Sequence, residues 1–566
     1  MNSAIRLTPS QSDAARAAVT TLARGAPFLL AGAAGTGKTT VAVQVIASLL
    51  AKGLRIAASA PTHAAARILA RKLQAAALDV SFCGTIHSLL GLSPSSDDAV
   101  RRLRRTGENR ATDFDVIVLD EASMVGRDLQ AEIDALAPPA VLYLGDAAQL
   151  PPVMETEAPI FSRDISRAEL REIIRQGRGN PIIAAATAIR EQQVAGAELT
   201  FEWATDAHDG ERGIFCPPGA EALTLLREAF KPIWLLEPDR ARILAFTNRR
   251  VAQYNRLIRT WLYGETETPF LPDERIVCRR PVVRWQISAS GRWQAITLFH
   301  TLEETTVARI ERGTEAFDFP ALTAEHRENG AHWQALDGWE IAMPVWRVWL
   351  DHEAFGPVQT LMPVDPGHVK QIDARLIAEA RLNRHRWGHR YGYLEKIADL
   401  RSPYAMTVHC SQGATFGRVF VDFGDLAAAK GAGLFRQRLT YTALTRPADA
   451  ALLLHREATP DCPLAAALGA QAIIPGDDAE PLDLDALPPL PAPAPPADMA
   501  WAAKDDMRQL LDTLRRHPAA LTAWERGFIA SLAERRGISP KQTAILKRIA
   551  DERLGKRDGI SCSATD

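Results

Sequence analysis

The sequence predicts an α/β protein built from two parallel-sheet lobes, with a β-rich insertion in the second lobe and a helical module at the C-terminal end. Three observations carry this. Over about 1–175, the apolar runs PFLLAG, LRIAASA, FDVIVLDE and AVLYLGD alternate with helix-like stretches, the order that a parallel sheet wrapped by helices requires. A second series runs through ARILAFT (241–247), YAMTVHC (404–410) and RVFVDF (418–423) and closes with LTYTALTRP. Inside that second series the texture changes, with Trp285, Trp293, Trp333, Trp339, Trp346 and Trp349 and β-like stretches such as TLEETTVARIERGTEAF.

Taken in order, the first lobe covers 1–176, interrupted by a small insertion at about 89–112. The second lobe is split into 177–261 and 396–470 by the β-rich insertion at 262–395. Residues 471–498 turn acidic and then Pro-rich, the composition of a semi-rigid linker. Beyond it, 499–566 reads as a small helical module, with Phe528, Ile529 and Leu532, then Ile545, Leu546 and Ile549, at helical spacing and Ser539 as an N-cap between them.

Bulk properties set bounds on function. At 566 residues the chain exceeds one typical domain. A formal net charge of −2 means that a nucleic-acid ligand has to be held by local basic patches. The six cysteines form no CxxC pair, and His385 and His389 have no cysteine or acidic companion motif, so no metal is assigned to either set. No secretory leader is read at the N-terminus and no apolar run nears the ~18 residues of a membrane span, so a cytoplasmic protein is expected.

The chemistry begins at Gly32-Ala33-Ala34-Gly35-Thr36-Gly37-Lys38-Thr39, followed by Thr40. This fits GxxxxGK[ST] between a strand and a helix. Backbone N–H groups there can surround phosphates, Lys38 neutralises β/γ oxygens, and the Thr39 hydroxyl can ligate Mg²⁺. Asp120 and Glu121 end the next apolar strand but one, where an Asp can hold the metal and an adjacent Glu can take a proton from an attacking water. Gln149, just past Gly145-Asp146, is placed to sense the γ-phosphate. Transition-state charge calls for arginine, and Arg175 in LREIIRQ and Arg446 in YTALTRP are the candidates.

The ordered set LTPSQSDAA, GAAGTGKT, APTHAAA, GTIHSLLG, VLDEAS, GDAAQLPPV, LREIIRQ, ILAFTNRRVAQYN, MTVHCSQGATF and YTALTRP resembles the motif series of superfamily 1B DNA helicases, in the RecD-like and phage Dda-like branch. The resemblance covers about 1–260 and 400–455. It implies two RecA-like lobes, a pin insertion in lobe 1, an SH3-like insertion in lobe 2, ATP and Mg²⁺ as cofactors, and 5′→3′ travel on single-stranded DNA. Carried over by position, Gln11 would read adenine, with Lys38, Asp120, Glu121, Gln149, Arg175 and Arg446 catalytic. The implied DNA track is Pro61, Thr62, His63, Thr85, His87, Asn248, Thr407, His409, Ser411 and Gln412. Implied partners are single-stranded and forked duplex DNA, with a replication or single-strand-binding protein docking on the C-terminal module, and a monomeric state. The motor part of a conjugative relaxase system, or an RNA helicase, are the alternatives. The sequence departs from the series in two places: Cys410 stands where a Lys or Arg is usual, and the pin region carries Arg101, Arg102, Arg104, Arg105 and Arg110 but no aromatic residue.

Overall fold

The computed structural model describes residues 7–94, 103–105, 109–135, 140–152, 155–173, 180–195, 212–217, 219–231, 234, 236–287, 293–326, 332–429 and 433–454, and in the C-terminal part 505–516 with scattered positions up to 549. Arg175, the pin-loop residues Arg101 and Arg102, the linker 471–498 and Ser539 lie outside the described residues.

Lobe 1 opens with α1 (Pro9–Leu22), β1 (Phe28–Gly32), α2 (Lys38–Leu50), β2 (Ile56–Ala60), α3 (His63–Ala75), β3 (Phe82–Thr85) and α4 (Ile86–Leu90). It continues with the short hairpin strands β4 (Leu92–Pro94) and β5 (Leu103–Arg105), then β6 (Val116–Leu119), α5 (Arg127–Asp134), β7 (Ala140–Gly145) and β8 (Ser166–Leu170). Its sheet runs β3-β2-β6-β7-β1-β8, parallel throughout. The strands IAASA, VIVL and AVLYLG are buried along their whole length, because helices cover both faces, and this is why they read as continuous apolar runs. Leu30, Val41, Ile46, Leu69 and Leu142 form the core on one face, and Leu89, Ile117, Leu129 and Tyr143 on the other.

Lobe 2 starts with α6 (Pro181–Ala195), β9 (Gly213–Phe215), α7 (Gly219–Ala229), β10 (Ala241–Ala245) and α8 (Asn248–Tyr263). The insertion follows: β11 (Arg275–Cys278), β12 (Val282–Ile287), β13 (Trp293–Phe299), β14 (Glu303–Phe319), β15 (Glu325–His326), β16 (His332–Trp333), β17 (Trp339–Leu350) and β18 (Val358–Pro363), then α9 (Pro366–Leu382), α10 (Arg386–Lys396) and β19 (Leu400–Arg401). Lobe 2 resumes with β20 (Ala405–Thr407), β21 (Phe416–Asp422), α11 (Phe423–Ala427), α12 (Gly433–Leu444) and β22 (Pro447–Leu454), and α13 (Asp505–Arg516) lies near the C-terminal end. The lobe 2 sheet, β20-β10-β21-β22-β9, is again all parallel. No helix among the described residues is long and apolar enough to cross a membrane.

The insertion is an antiparallel sheet, β18-β17-β14-β11-β19, with β12-β13 as a separate hairpin. After β18 the insertion is helical, formed by α9 and α10. In α9, Ile372, Leu376 and Ala380 fall at every fourth position and face inward, and the Asp365 carboxylate caps the first turn by accepting from Gly367 N at 2.7 Å. Most of the basic-aromatic stretch RHRWGHRYGY belongs to α10, where Arg386 is fully buried and donates to the Pro320 carbonyl at 3.0 Å and pairs with Glu379 at 2.8 Å. Trp339 is core, its ring tilted by 33° against Phe319, whereas Trp285 is half exposed and donates to Glu395. In the pin region, β4 and β5 pair antiparallel, and Arg110 lies over the Phe82 ring.

Candidate nucleotide site and nucleic-acid interface

The glycine-rich turn is shaped for backbone approach. Gly35 and Gly37 both have φ +82°, a left-handed conformation that costs glycine little. A Cβ on Gly32 would sit 2.7 Å from the Leu170 carbonyl oxygen and 2.9 Å from Thr36 Oγ1, so the turn closes against β8 only without a side chain. Lys38 opens α2, and its Nζ folds back to donate to the Gly32 and Ala33 carbonyls at 2.8 and 3.1 Å. Gln11 is held in the capping box of α1, where its Oε1 accepts from Thr8 N, while its Nε2 donates to the Thr36 carbonyl at 3.0 Å. Gln11 thus braces the turn from behind, with both ends of its amide engaged.

Around the turn lies a cavity of ≈ 290 Å³. Lobe 1 lines it with Gln11, Lys38, Thr39, Asp120, Glu121 and Gln149, and lobe 2 with Gly413 and Arg446. Thr39 Oγ1 donates to Asp120 Oδ2 at 3.1 Å, so a hydroxyl and a carboxylate share one spot, a hard-oxygen pair of the kind Mg²⁺ takes together with phosphate oxygens. Glu121 has φ 52°, strain that costs a non-glycine residue about 1–3 kcal/mol and that directs its side chain into the cavity rather than along β6. Its N–H donates to Asp120 Oδ1 at 2.8 Å, which fixes the metal-side carboxylate. Gln149 is buried, and its Oε1 has no hydrogen-bond partner among the described residues, an orphaned polar atom at a cavity wall. Together these groups suit a magnesium-bound triphosphate.

Lobe 2 closes the site through α12. The Tyr441 hydroxyl donates to Asp146 Oδ2 at 2.6 Å and accepts from Ala34 N of the turn at 3.4 Å. Burial and the neighbouring carboxylate push that phenol far above its ordinary range, so it stays a donor. Thr442 Oγ1 accepts from Leu150 N at 3.1 Å, and Gln412 Nε2 donates to the Leu150 carbonyl at 3.0 Å. Arg446 is buried, with Nε on the Thr442 carbonyl, Nη1 on the Ala414 carbonyl and Nη2 on Thr445 Oγ1. Sequence reasoning passed over Asp146, Tyr441, Thr442 and Gly413. The signal is present in GDAAQ, YTALTRP and SQGA, where Gln149, Arg446 and Gln412 overshadow these neighbours.

The residues expected on a DNA track lie at the carboxyl ends of β2, β3, β10 and β20, where register aligns Ala60 with Thr85 and Ala245 with Thr407. β3 and β20 are the terminal strands of their sheets, so this line runs along one flank of both lobes while the phosphate turn sits further in, after β1. Pro61, Thr62, His63, His87, Asn248 and His409 are at least partly accessible. Thr62 and Thr85 cap α3 and α4. Four of these positions have polar side-chain atoms engaged within the protein. Ser411 Oγ is fully buried and donates to the Val408 carbonyl, Gln412 is spent on Leu150, and the buried Thr407 and Thr85 hydroxyls accept from Cys410 N and Ser88 N. Their polar atoms shape the turns on which the line is built.

The root of the insertion roofs this line. His63 stacks on His300 with ring centroids 3.5 Å apart, and beside them Arg67 pairs with Glu303 at 3.4 Å. Burial first, then His300, Arg67 and His87, hold the His63 imidazole down at about 4, and His300 is also lowered by burial, against the opposing pull of Glu303. Separated rings return toward 6.5, so the open form takes up protons first. The contact is therefore at full strength above 6.5 and weakens as pH falls toward 4. Amide hydrogen exchange across 298–303, corrected for its intrinsic pH dependence, is expected to speed up on acidification through this window. His300→Ala is expected to remove that response, and a pH-independent wild type refutes it.

The AAA domain family matches residues 6–208, and the UvrD-like helicase C-terminal domain family matches 403–454. The chain is 31% identical over 264 residues to the ATP-dependent DNA helicase dda of Enterobacteria phage T4, covering 45% of this chain and 56% of that protein. It is 33% identical over 162 residues to the ATP-dependent RecD2 DNA helicase of Deinococcus radiodurans, covering 28% of this chain and 21% of that one. With the RecBCD enzyme subunit RecD of Mycobacterium tuberculosis it shares 31% identity over 310 residues, 47% of this chain and 51% of that protein. The chain therefore spans about half, or less, of the length of these relatives. Among solved structures, the Pif1 helicase from Candida albicans aligns over 80% of this chain and 95% of its own at 17% identity and a TM-score of 0.40. The chain thus matches the AAA domain family at residues 6–208 and the UvrD-like helicase C-terminal domain family at 403–454, and it is similar over part of its length to the phage helicase dda and to RecD proteins.

Proposed function

We propose that the protein is an ATP-dependent DNA helicase that moves 5′→3′ along single-stranded DNA and separates duplex DNA in replication, recombination or repair. The observation that carries this reading is the closing of the phosphate turn of lobe 1 by Tyr441, Gly413 and Arg446 of lobe 2, which ties the state of the nucleotide site to the spacing of the lobes. In this reading Gly32 to Thr40 hold the triphosphate through backbone N–H groups and Lys38, and Gln11 sets the turn against the adenine side. Thr39 and Asp120 would hold Mg²⁺, which when bound would supply charge neutralisation on the phosphates. Glu121 takes the proton of the attacking water, Gln149 reports the γ-phosphate, and Arg175 and Arg446 take up transition-state charge. Closure brings the strand ends of β2 and β3 toward those of β10 and β20. A strand lying along them is drawn by one step per cycle.

Residues 1–176 are assigned to lobe 1, 177–261 and 396–470 to lobe 2, 262–395 to an SH3-like insertion and 499–566 to a module for a replication or single-strand-binding partner. The protein is taken to act as a monomer in the cytoplasm. The test is unwinding of forked substrates bearing either a 5′ or a 3′ tail, in DNA and RNA versions, with and without ATP. Unwinding of 5′-tailed DNA only, and only with ATP, is expected. Preference for the 3′ tail refutes the polarity, preference for RNA refutes the substrate, and ATP-independent separation refutes the motor.

A further inference from the structure

At its root the insertion touches both lobes. Cys278 pairs with Glu303 in the β11–β14 ladder, which places Arg279 at the mouth of the roof described above. The Arg279 N–H is anchored on the Asp399 carbonyl at 2.8 Å, and its guanidinium reaches the lobe 2 turn after β20, where Nη1 donates to Cys410 Sγ at 3.0 Å. A thiol sulfur is a weak acceptor. The nearby acids are committed elsewhere, Glu303 to Arg67 and Asp399 to Arg401 at 2.9 Å, and Glu304 bridges Arg242 and Arg275. Among the described residues, no carboxylate lies within ion-pairing distance of Arg279, which is half-buried against Cys410, the residue after the partly accessible His409. A cation fixed at both ends, facing the strand-end line and satisfied only by sulfur, is arranged to trade that sulfur for a stronger acceptor.

We propose that Arg279 is a binding residue for a single-strand phosphate, supplying from the insertion the positive charge that Cys410 does not. The planar fork of arginine binds two phosphate oxygens at once, and the Cys410 side chain is short enough to leave it room. Because Arg279 is borne by the insertion and Cys410 by lobe 2, the strand is gripped by the roof as well as by the floor. This rests on the single-stranded-DNA reading above.

The experiment is binding of a fluorescent oligothymidylate across a series of NaCl concentrations. Arg279→Ala is expected to weaken binding about fivefold at moderate salt and to flatten the log–log salt slope by about 0.7, the share of one phosphate contact on a single strand. Arg279→Gln, neutral but of similar length, is expected to match it. The double variant Arg279→Ala with Cys410→Lys is expected to recover the slope, because the charge returns from the floor. Wild-type affinity and slope in both single variants overturn the proposal. So does loss in Arg279→Ala with wild-type behaviour in Arg279→Gln, which assigns the arginine to packing. A wild-type protein that does not bind the oligonucleotide overturns the functional reading as well.

Discussion

Glu121→Gln is expected to bind ATP about as well as the wild type and to hydrolyse it roughly 10²–10⁴-fold more slowly in the presence of single-stranded DNA, the range that a general base contributes. The substitution keeps length and volume and removes only the ability to take a proton. It leaves the Thr39–Asp120 pair, which would hold the metal, and the Glu121 N–H to Asp120 bond in place, since neither uses the Glu121 side chain. Steady-state hydrolysis paired with binding of a fluorescent nucleotide separates the two effects. Loss of binding along with turnover places Glu121 in the cradle instead, and unchanged turnover removes it from the chemistry.

Arg446→Ala is expected to lower turnover by about 10³–10⁵-fold, the scale on which an arginine stabilises phosphoryl-transfer charge, with a small change in KM for ATP. Arg446 donates to Thr442, Ala414 and Thr445 of its own lobe and lines the same cavity as Lys38. That position matters only when the lobes are together, which separates it from a ground-state phosphate ligand. Arg446→Lys keeps the charge and loses the fork, so it is expected to recover folding stability in thermal melts but little of the turnover. Turnover within tenfold of wild type in Arg446→Ala, in protein that melts normally, refutes the assignment.

The parts of the site that were legible in the sequence are those fixed by short-range chemistry. A turn built on Gly32, Gly35 and Gly37 at the end of β1, or the pair Asp120-Glu121 just after β6, is legible in consecutive residues. What escaped is set by contacts between distant segments. Ser411 and Gln412 sit in a motif that points to DNA, yet the turn after β20 rotates one inward to Val408 and carries the other to Leu150 of lobe 1. The stacking of His63 on His300 and the reach of Arg279 to Cys410 join segments with no shared pattern. The tryptophans dominate the texture of the β-rich insertion, whereas Ile372, Leu376 and Ala380 mark α9 with small, inconspicuous signals.

The order in which strands find neighbours also has a consequence for synthesis. All six strands of the lobe 1 sheet have left the ribosome once Leu170 has emerged. By contrast β10, buried along its length in the finished protein, pairs among the described strands with β20 and β21, which begin at Ala405 and Phe416. Until then ARILA is an apolar strand with two open edges, a hazard for the nascent chain. The pairing of β11 with β19 eases it: when the insertion folds on itself, Val277 meets Arg401 and the long excursion ends beside its starting point. The insertion thus works as a purse-string that delivers β20 to β10 within a few residues of slack, so mutations that unfold it are expected to strand lobe 2 half-built while lobe 1 stands complete.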